Sequence, residues 1–344
     1  MSPAAPRFSP VVNVVEPYMI MITFLGLSWD NPLHFVSEFN LFRFVSFDNF
    51  LSPVRFVNVM LNTQDKYVFG RSKKETERLN AQHRLLAKVT NNTLIHPSIP
   101  KEHIRSVADV GTGTGIWLKA VSQVLDNKPD SGVYYHGFDI SDEQFPTAPA
   151  PNLHFSTHDI TLPFPDEHRN RYDLVHVRLL VAALDETDYA KAVANLSAIL
   201  KPGGYLQWEE IDAESYSSID NPVIKEIHRC FAYSLSAEGK CFAASAKVAS
   251  ECKKDGSYQD VQRVMYRSDE ASPEEGVDLS SEVETRLVTI IETLYASLLL
   301  RSGQVEGEEE ANRRAAELVE QLRKSCREGR SPPVKIMWVV ARKE

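Results

Sequence analysis

Val107-Ala-Asp-Val-Gly-Thr-Gly-Thr-Gly115, followed without a break by Ile116-Trp-Leu-Lys-Ala-Val-Ser-Gln-Val-Leu125, decides the architecture. Val107 and Val110 flank a carboxylate in a short strand-like run that stops at three glycines on alternate positions. Beyond it Ile116, Ala120 and Val124 recur every four residues, the period of one buried helix face. Strand, glycine turn and helix make the first crossover unit of a parallel sheet, and such sheets bind nucleotides at the carboxyl ends of their strands. Glycine at Gly111, Gly113 and Gly115 permits positive φ and a backbone approach that a Cβ would block. A strand-to-helix turn with no ligand has the same three parts, so the loop alone leaves both readings open.

The spelling of the loop narrows the ligand. A dinucleotide loop reads G-x-G-x-x-G, with its helix N-terminus aimed at a pyrophosphate. Here the third glycine arrives one residue early, and Ile116 stands where that pattern needs Gly or Ala. Asp109, two residues before the first glycine, repels a pyrophosphate and suits an ammonium group. Both features favour a ligand that joins an adenosine to an amino acid, and disfavour NAD.

Four landmarks follow in order. Tyr134-Tyr-His-Gly-Phe-Asp-Ile140 reads as a second strand ending in Asp139. Leu153-His-Phe-Ser-Thr-His-Asp-Ile-Thr-Leu-Pro-Phe-Pro165 reads as a third strand and its loop, carrying Asp159 and Ile160. Tyr172-Asp-Leu-Val-His-Val-Arg178 and Leu200-Lys-Pro-Gly-Gly-Tyr-Leu-Gln-Trp-Glu-Glu210 read as the fourth and fifth strands, the latter opening on a glycine helix stop. This series resembles the class I S-adenosylmethionine-dependent methyltransferases. The resemblance implies an α/β, Rossmann-like fold: a mostly parallel seven-stranded sheet with helices on both faces and a helical cap. It implies S-adenosylmethionine as methyl donor, with Asp109, Gly111, Gly113 and Gly115 at its amino-acid end. Asp139 would accept from both ribose hydroxyls, Asp159 from the adenine amino group, and Ile160 would pack on the ring.

Tyr67-Val-Phe-Gly-Arg-Ser72, Glu75-Thr-Glu-Arg-Leu-Asn-Ala-Gln-His-Arg-Leu-Leu86, Ile95-His-Pro-Ser-Ile-Pro100 and Trp338-Val-Val-Ala-Arg-Lys343 resemble fungal methyltransferases of secondary metabolism and mycotoxin biosynthesis, the gliotoxin-type N-methyltransferase group among them. That likeness covers residues 63–344 and implies methyl transfer to N or O of a small molecule, a diketopiperazine-type compound being one option. A methyltransferase-like regulator is the alternative; a basic nuclear-localisation run would mark it, and Lys73-Lys74 is the only trace of one. A nicotinamide-dependent reductase ranks lower, on the glycine spacing and Asp109.

Composition fits a globular enzyme. At 344 residues, 43% hydrophobic and 25% charged, the chain can bury one large α/β core or two smaller ones. A net charge of −9 argues against a nucleic-acid phosphate binder. Cys230, Cys241, Cys252 and Cys326 lack C-x-x-C spacing and read as reduced thiols of a cytoplasmic protein, with no metal site. The first sixty residues hold more than half of the sixteen phenylalanines, and their most apolar run, Met19-Ile-Met-Ile-Thr-Phe-Leu-Gly-Leu27, is too short to span a bilayer. They read as a lid or dimerisation arm, a membrane-surface anchor, or translated non-coding sequence, with most weight on the last. The expected organisation is therefore an extension over 1–62, poorly ordered or foreign to the fold, a helical cover over 63–100, and a methyltransferase domain over 101–344 with helical insertions at about 220–253 and 280–328. Oligomeric state is not readable.

From Ser72 the chain reads as helix, with Ser72 and Glu75 as a capping box. This helix would cover the cofactor mouth, bringing Tyr67 and Arg71 to the methionine carboxylate, for which Arg offers a fork of donors. Transfer from a sulfonium needs the acceptor held in line and water excluded, and a base only where the acceptor must lose a proton. Candidates at the ends of the fourth and fifth strands are His176, Arg178, Glu209, Glu210 and Asp212, with Tyr205, Trp208 and Trp117 as wall. His176 or Glu209 is the first choice for the polar contact, and His83 on the covering helix the next. Alternation puts Trp208 and Glu210 on one face of the strand and Glu209 on the other.

Overall fold

A central parallel strand must be apolar on both faces, because helices cover both. Residues Ser106–Val110, β1, are buried along their whole length in the computed structural model. Six more strands join it: β2 (Tyr134–Asp139), β3 (Leu153–Thr157), β4 (Tyr172–Arg178), β5 (Leu200–Glu210), β6 (Tyr258–Arg267) and β7 (Lys335–Lys343). The sheet order is β3-β2-β1-β4-β5-β7-β6. β1 to β5 are mutually parallel, and β7 runs antiparallel to both of its neighbours. The order reverses at β1, which has β2 on one side and β4 on the other, so the crevice for a ligand opens at the carboxyl ends of these strands.

The structure describes residues 73–126, 132–211, 219–270 and 279–344, together with the backbone of a short antiparallel pair, Asn13–Val14 with Ile20–Met21. The chain divides into two units, Met1–Met60 and Leu61–Glu344, and the sheet belongs to the second. The expectations for the N-terminal extension as a whole, for the cap at Ser72, and for Tyr67, Arg71 and Asp212 fall outside the described residues.

Helix α1 (Lys73–Val89) precedes β1 and α2 (Ile116–Leu125) follows it, α3 (Asp188–Ile199) joins β4 to β5, and α4 (Pro222–Ala237) and α5 (Ala244–Asp255) lie between β5 and β6. α6 (Ser280–Ile290) runs through a π-helical turn, Ile291–Tyr295, into α7 (Ala296–Arg301), and α8 (Glu308–Arg327) follows. Three cores result. On one face of the sheet Trp117, Leu118 and Val121 of α2 pack with Ile95, Ile99 and Leu174. On the other, α3 and α5 bring Tyr189, Leu196 and Val248 against Val175, Val177 and Trp208. The third core is the cap: Leu85, Leu86 and Val89 of α1 meet apolar faces of α4, α6, α7 and α8, and Trp338 of β7. Among the described residues no helix is long and apolar enough to cross a membrane.

One face was misread. Ile116, Ala120 and Val124 do not form the buried stripe of α2; Val124 is exposed, and Trp117, Leu118, Val121 and Ser122 point inward. The helix starts at the glycine loop, so its first residue, Ile116, turns to the ligand crevice and the core stripe begins one position later. Gly115, at φ +68°, is the turn that allows this, and a Cβ there would lie 2.7 Å from the Phe155 ring. Gly137 on β2 is constrained by the same ring at the same distance.

Candidate active site

The glycine loop is held from three sides. Backbone N–H groups of Gly111 and Thr112 donate to the Phe138 carbonyl at the end of β2, at 2.8 and 2.9 Å. Gly113 N–H donates to Asp139 Oδ2 at 2.8 Å, and Thr112 Oγ1 donates to Asp109 Oδ2 at 2.6 Å. From above, α1 closes on the loop through Thr114 Oγ1, which donates to Asn80 Oδ1 at 2.8 Å, and through Leu79, whose Cδ1 would lie 3.4 Å from a Cβ at Gly113. Thr76 Oγ1, donating to Gln144 Oε1 at 2.6 Å, ties the same helix to the segment after β2.

Beneath this cover lies a cavity of ≈ 320 Å³. One end is lined by residues 111–114, Asp139, Ile140, Asp159 and Ile160, and the other by apolar side chains of α4 and α6. Asp139 has its carboxyl pushed above the usual range by burial, against hydrogen bonds from the Gly113 and Ser141 N–H groups that favour the anion. Asp159 Oδ1 accepts from Thr161 N–H at 2.9 Å and from its hydroxyl at 2.8 Å, which fixes the carboxylate at the cavity wall. Ile140, half exposed, lines the cavity beside Ile160 and was not singled out in the sequence.

The segment after β4 is a second wall that the sequence reading missed. Leu179 has φ +58°, a strained conformation for a bulky residue and one that clusters at functional sites. It is held by Leu179 N–H donating to the Glu209 carbonyl at 2.9 Å and by Leu180 N–H donating to Glu210 Oε1 at 2.8 Å. Trp208 Nε1 donates to the same carboxylate oxygen at 2.9 Å, so Glu210 is a buried anchor for this loop. A Cβ at Gly111 would come within 3.0 Å of Leu180 Cδ2, so glycine at that position lets the two loops meet.

The three expected catalytic side chains sit behind these walls. His176 is fully buried, with its ring stacked on Trp117 at 3.5 Å. Its Nδ1–H donates to Asp109 Oδ1 at 2.7 Å; Nε2 faces Glu209 Oε1 at 3.3 Å, an ion-pair contact rather than a well-directed hydrogen bond. Burial alone would depress the imidazole, but the Asp109 and Glu209 carboxylates overrule it and hold its pKa above the ordinary value. Glu209 also accepts from Gln207 Nε2 at 2.8 Å. Neither His176 nor Glu209, the first choices for the polar contact to the acceptor, lines the cavity: His176 lies two residues short of the end of β4, and Glu209 is buried against it. Asp109 is likewise engaged, one oxygen with His176 and the other with Thr112, so it braces the loop. His83 is buried and accepts from Arg178 Nη1 at 3.4 Å. Burial first, then the Arg178 charge, lowers its pKa to about 4. Arg178, not His83, reaches the cavity.

Residues 78–237 match the family described as Methyltransferase domain. Methyltransferase grgD of a Penicillium species is 34% identical over 243 residues, covering 70% of this chain and 84% of that protein. The chain belongs to the methyltransferase family. N-methyltransferase sirN of Leptosphaeria maculans is 34% identical over 145 residues, 42% of this chain and 49% of that protein. N-methyltransferase gliN of Aspergillus fumigatus is 29% identical over 155 residues, 45% and 53%. The alignments thus span about half the length of these two relatives. The methyl donor is S-adenosylmethionine, and the residues present fit it: a glycine cradle, a strand-end carboxylate and two isoleucines share one end of the cavity.

Two buried histidines give this methyltransferase an acid limb. His83 is held near 4. His136 is brought down to about 3, by burial first and then by His168, His154 and Arg171; its Nδ1 pairs with the Tyr134 hydroxyl at 2.8 Å and its Nε2 with Ser156 Oγ at 2.9 Å. Both native pKa values lie below the unfolded one. Stability is therefore full above about pH 6.5 and is lost as pH falls toward the native values, each histidine removing on the order of 3 kcal/mol by then. Calorimetric melting between pH 7 and pH 4 should show a steep fall; a flat profile would contradict the neutral, buried assignment.

Proposed function

We propose that this methyltransferase moves the methyl group of S-adenosylmethionine to a nitrogen, or alternatively an oxygen, of a small-molecule secondary metabolite. The observation that carries the reading is the continuity of the cavity, from the glycine loop past residues 178–184 into an apolar chamber beneath α4 and α6. Nitrogen comes first because two of the relatives are named N-methyltransferases. In this reading Asp139 accepts from the ribose hydroxyls, Asp159 from the adenine amino group, and Ile140 and Ile160 pack against the ring. The loop backbone at Gly111, Gly113 and Gly115 lies along the methionine portion. The sulfonium supplies an electrophilic methyl group. The chain's own work is to exclude water with α1 and to hold the acceptor in line with the 178–184 segment, gains of proximity and orientation. His176, Glu209 and Asp109 act behind that wall by fixing the two loops relative to each other. The acidic net charge supports a small-molecule partner over a nucleic acid, and we assign the enzyme to the cytoplasm.

The test is mass spectrometry of the purified protein with methyl-labelled S-adenosylmethionine and a panel of diketopiperazines and phenols. Gain of one labelled methyl on a ring amide nitrogen is the expected result. Binding of S-adenosylhomocysteine with no transfer to any small molecule would count against the acceptor class.

A further inference from the structure

One stripe of α4 faces the chamber: Ile224, Ile227, His228, Phe231 and Leu235, at helical spacings of three and four. The rotation of α4 is fixed from its outer side, where Glu226 accepts from the Tyr295 hydroxyl at 2.7 Å and pairs with Arg229 at 2.7 Å. Across the chamber stand Leu287, Ile290 and Leu294, and the π-turn at 291–295 lets Ile290 and Leu294 face the cavity while Ile291 and Tyr295 go into the cap core. In this apolar setting His228 Nε2 is buried and has no hydrogen-bond partner among the described residues. Its ring lies 5.3 Å from that of Phe242, another lining residue. Arg286 also lines the chamber but is already engaged. A buried polar atom without a partner is rare in native proteins, because it loses its water and gains nothing in return. A ligand that enters the chamber with a hydrogen-bonding group restores that balance.

We propose that His228 is the specificity-determining residue of the acceptor site: its Nε2 hydrogen-bonds the polar group of an acceptor whose remaining body is an apolar ring system packed against Phe231 and Phe242. The inference rests on the chamber being the acceptor site, as proposed above. An apolar pocket discriminates weakly between similar molecules, whereas a site built around a hydrogen bond rejects the analogue that lacks it. His228 would thus select among acceptors that fit equally well by shape.

The experiment is calorimetry on the full chain saturated with S-adenosylhomocysteine, using 2-naphthol and 2-methylnaphthalene as probes of nearly equal shape. The hydroxyl of 2-naphthol can donate to or accept from an imidazole nitrogen, and the methyl group can do neither. The wild type should prefer 2-naphthol by roughly tenfold. His228→Phe should abolish the preference, and His228→Gln, which keeps an N–H near the Nε2 position, should retain most of it. Equal binding of the two probes to the wild type, failure of both to bind, or a preference that survives in His228→Phe would overturn the assignment. Binding of S-adenosylhomocysteine in the same cell separates the two levels. If it binds and the preference is absent, the role of His228 alone falls. If it does not bind, the proposed function falls and this inference with it.

Discussion

His176→Ala is expected to cost the enzyme about 3–5 kcal/mol, the range for removing one partner from a buried charge cluster, and about 10 °C of melting temperature. The imidazole sits between Asp109 and Glu209, which are each 3% exposed, at 2.7 and 3.3 Å from them. Its removal takes away the charge that lies between two buried carboxylates and deprives Trp117 of its stacked partner. Asp109→Asn should cost less, because an amide oxygen still accepts from Nδ1–H and Glu209 still neutralises the ring. The linkage to pH gives a second readout. Because the native pKa of His176 is raised, its contribution is complete below about pH 6.5 and is lost as pH rises through the native value. The wild type should lose stability on the alkaline side of neutrality, and the alanine variant should lack that limb. Melting curves from neutral to alkaline pH test both statements; a variant within a degree or two of the wild type, with an unchanged profile, would show that the cluster carries no net charge coupling.

The contrast between what local pattern reveals and what it hides runs through this cluster. The glycine loop and the acids Asp139 and Asp159 were legible because strand ends and turn glycines are local signals, and the strands β2, β4 and β5 were bounded to within a residue for the same reason. Strand alternation also separated Glu209 from Glu210, and the two do anchor different groups: Glu209 faces His176, and Glu210 holds Leu180 N–H and Trp208 Nε1. Alternation gives the face of a strand but not the depth. Nothing in Tyr172-Asp-Leu-Val-His-Val-Arg178 says that Arg178 lines the cavity and His176 does not. The α2 stripe failed for a related reason, since Ile116 is apolar on behalf of the cavity and not of the core. The acceptor chamber was least legible. The expected helical insertions contain α4 and α6, but the meeting of these helices around His228 depends on tertiary packing between segments some sixty residues apart.

Asp139→Ala is expected to weaken S-adenosylhomocysteine binding by about 100-fold and Asp139→Asn by about tenfold, at charge-assisted hydrogen bonds of roughly 1.5–3 kcal/mol each. The carboxylate has two tasks in the proposed site. Oδ2 takes the Gly113 N–H and so fixes the apex of the loop, while the carboxylate lies in the cavity wall at the end of β2, where the ribose hydroxyls would donate to it. Alanine removes both tasks and leaves the Gly113 N–H without its partner. Asparagine retains an acceptor for the loop but has no second oxygen for the ribose. Burial raises the Asp139 pKa, and donation from ribose hydroxyls favours the anion, so affinity should fall as pH drops through the carboxyl's raised value and should be flat above it. The asparagine variant should lose that pH dependence along with the affinity. Asp159→Ala offers a graded comparison: its carboxylate is already turned into Thr161 by two hydrogen bonds, and its loss should cost about tenfold. Titration calorimetry across acid and neutral pH measures all of these. An Asp139→Ala variant that binds within about threefold of the wild type would mean that the ribose does not sit at the end of β2, since even one lost charged hydrogen bond exceeds that factor.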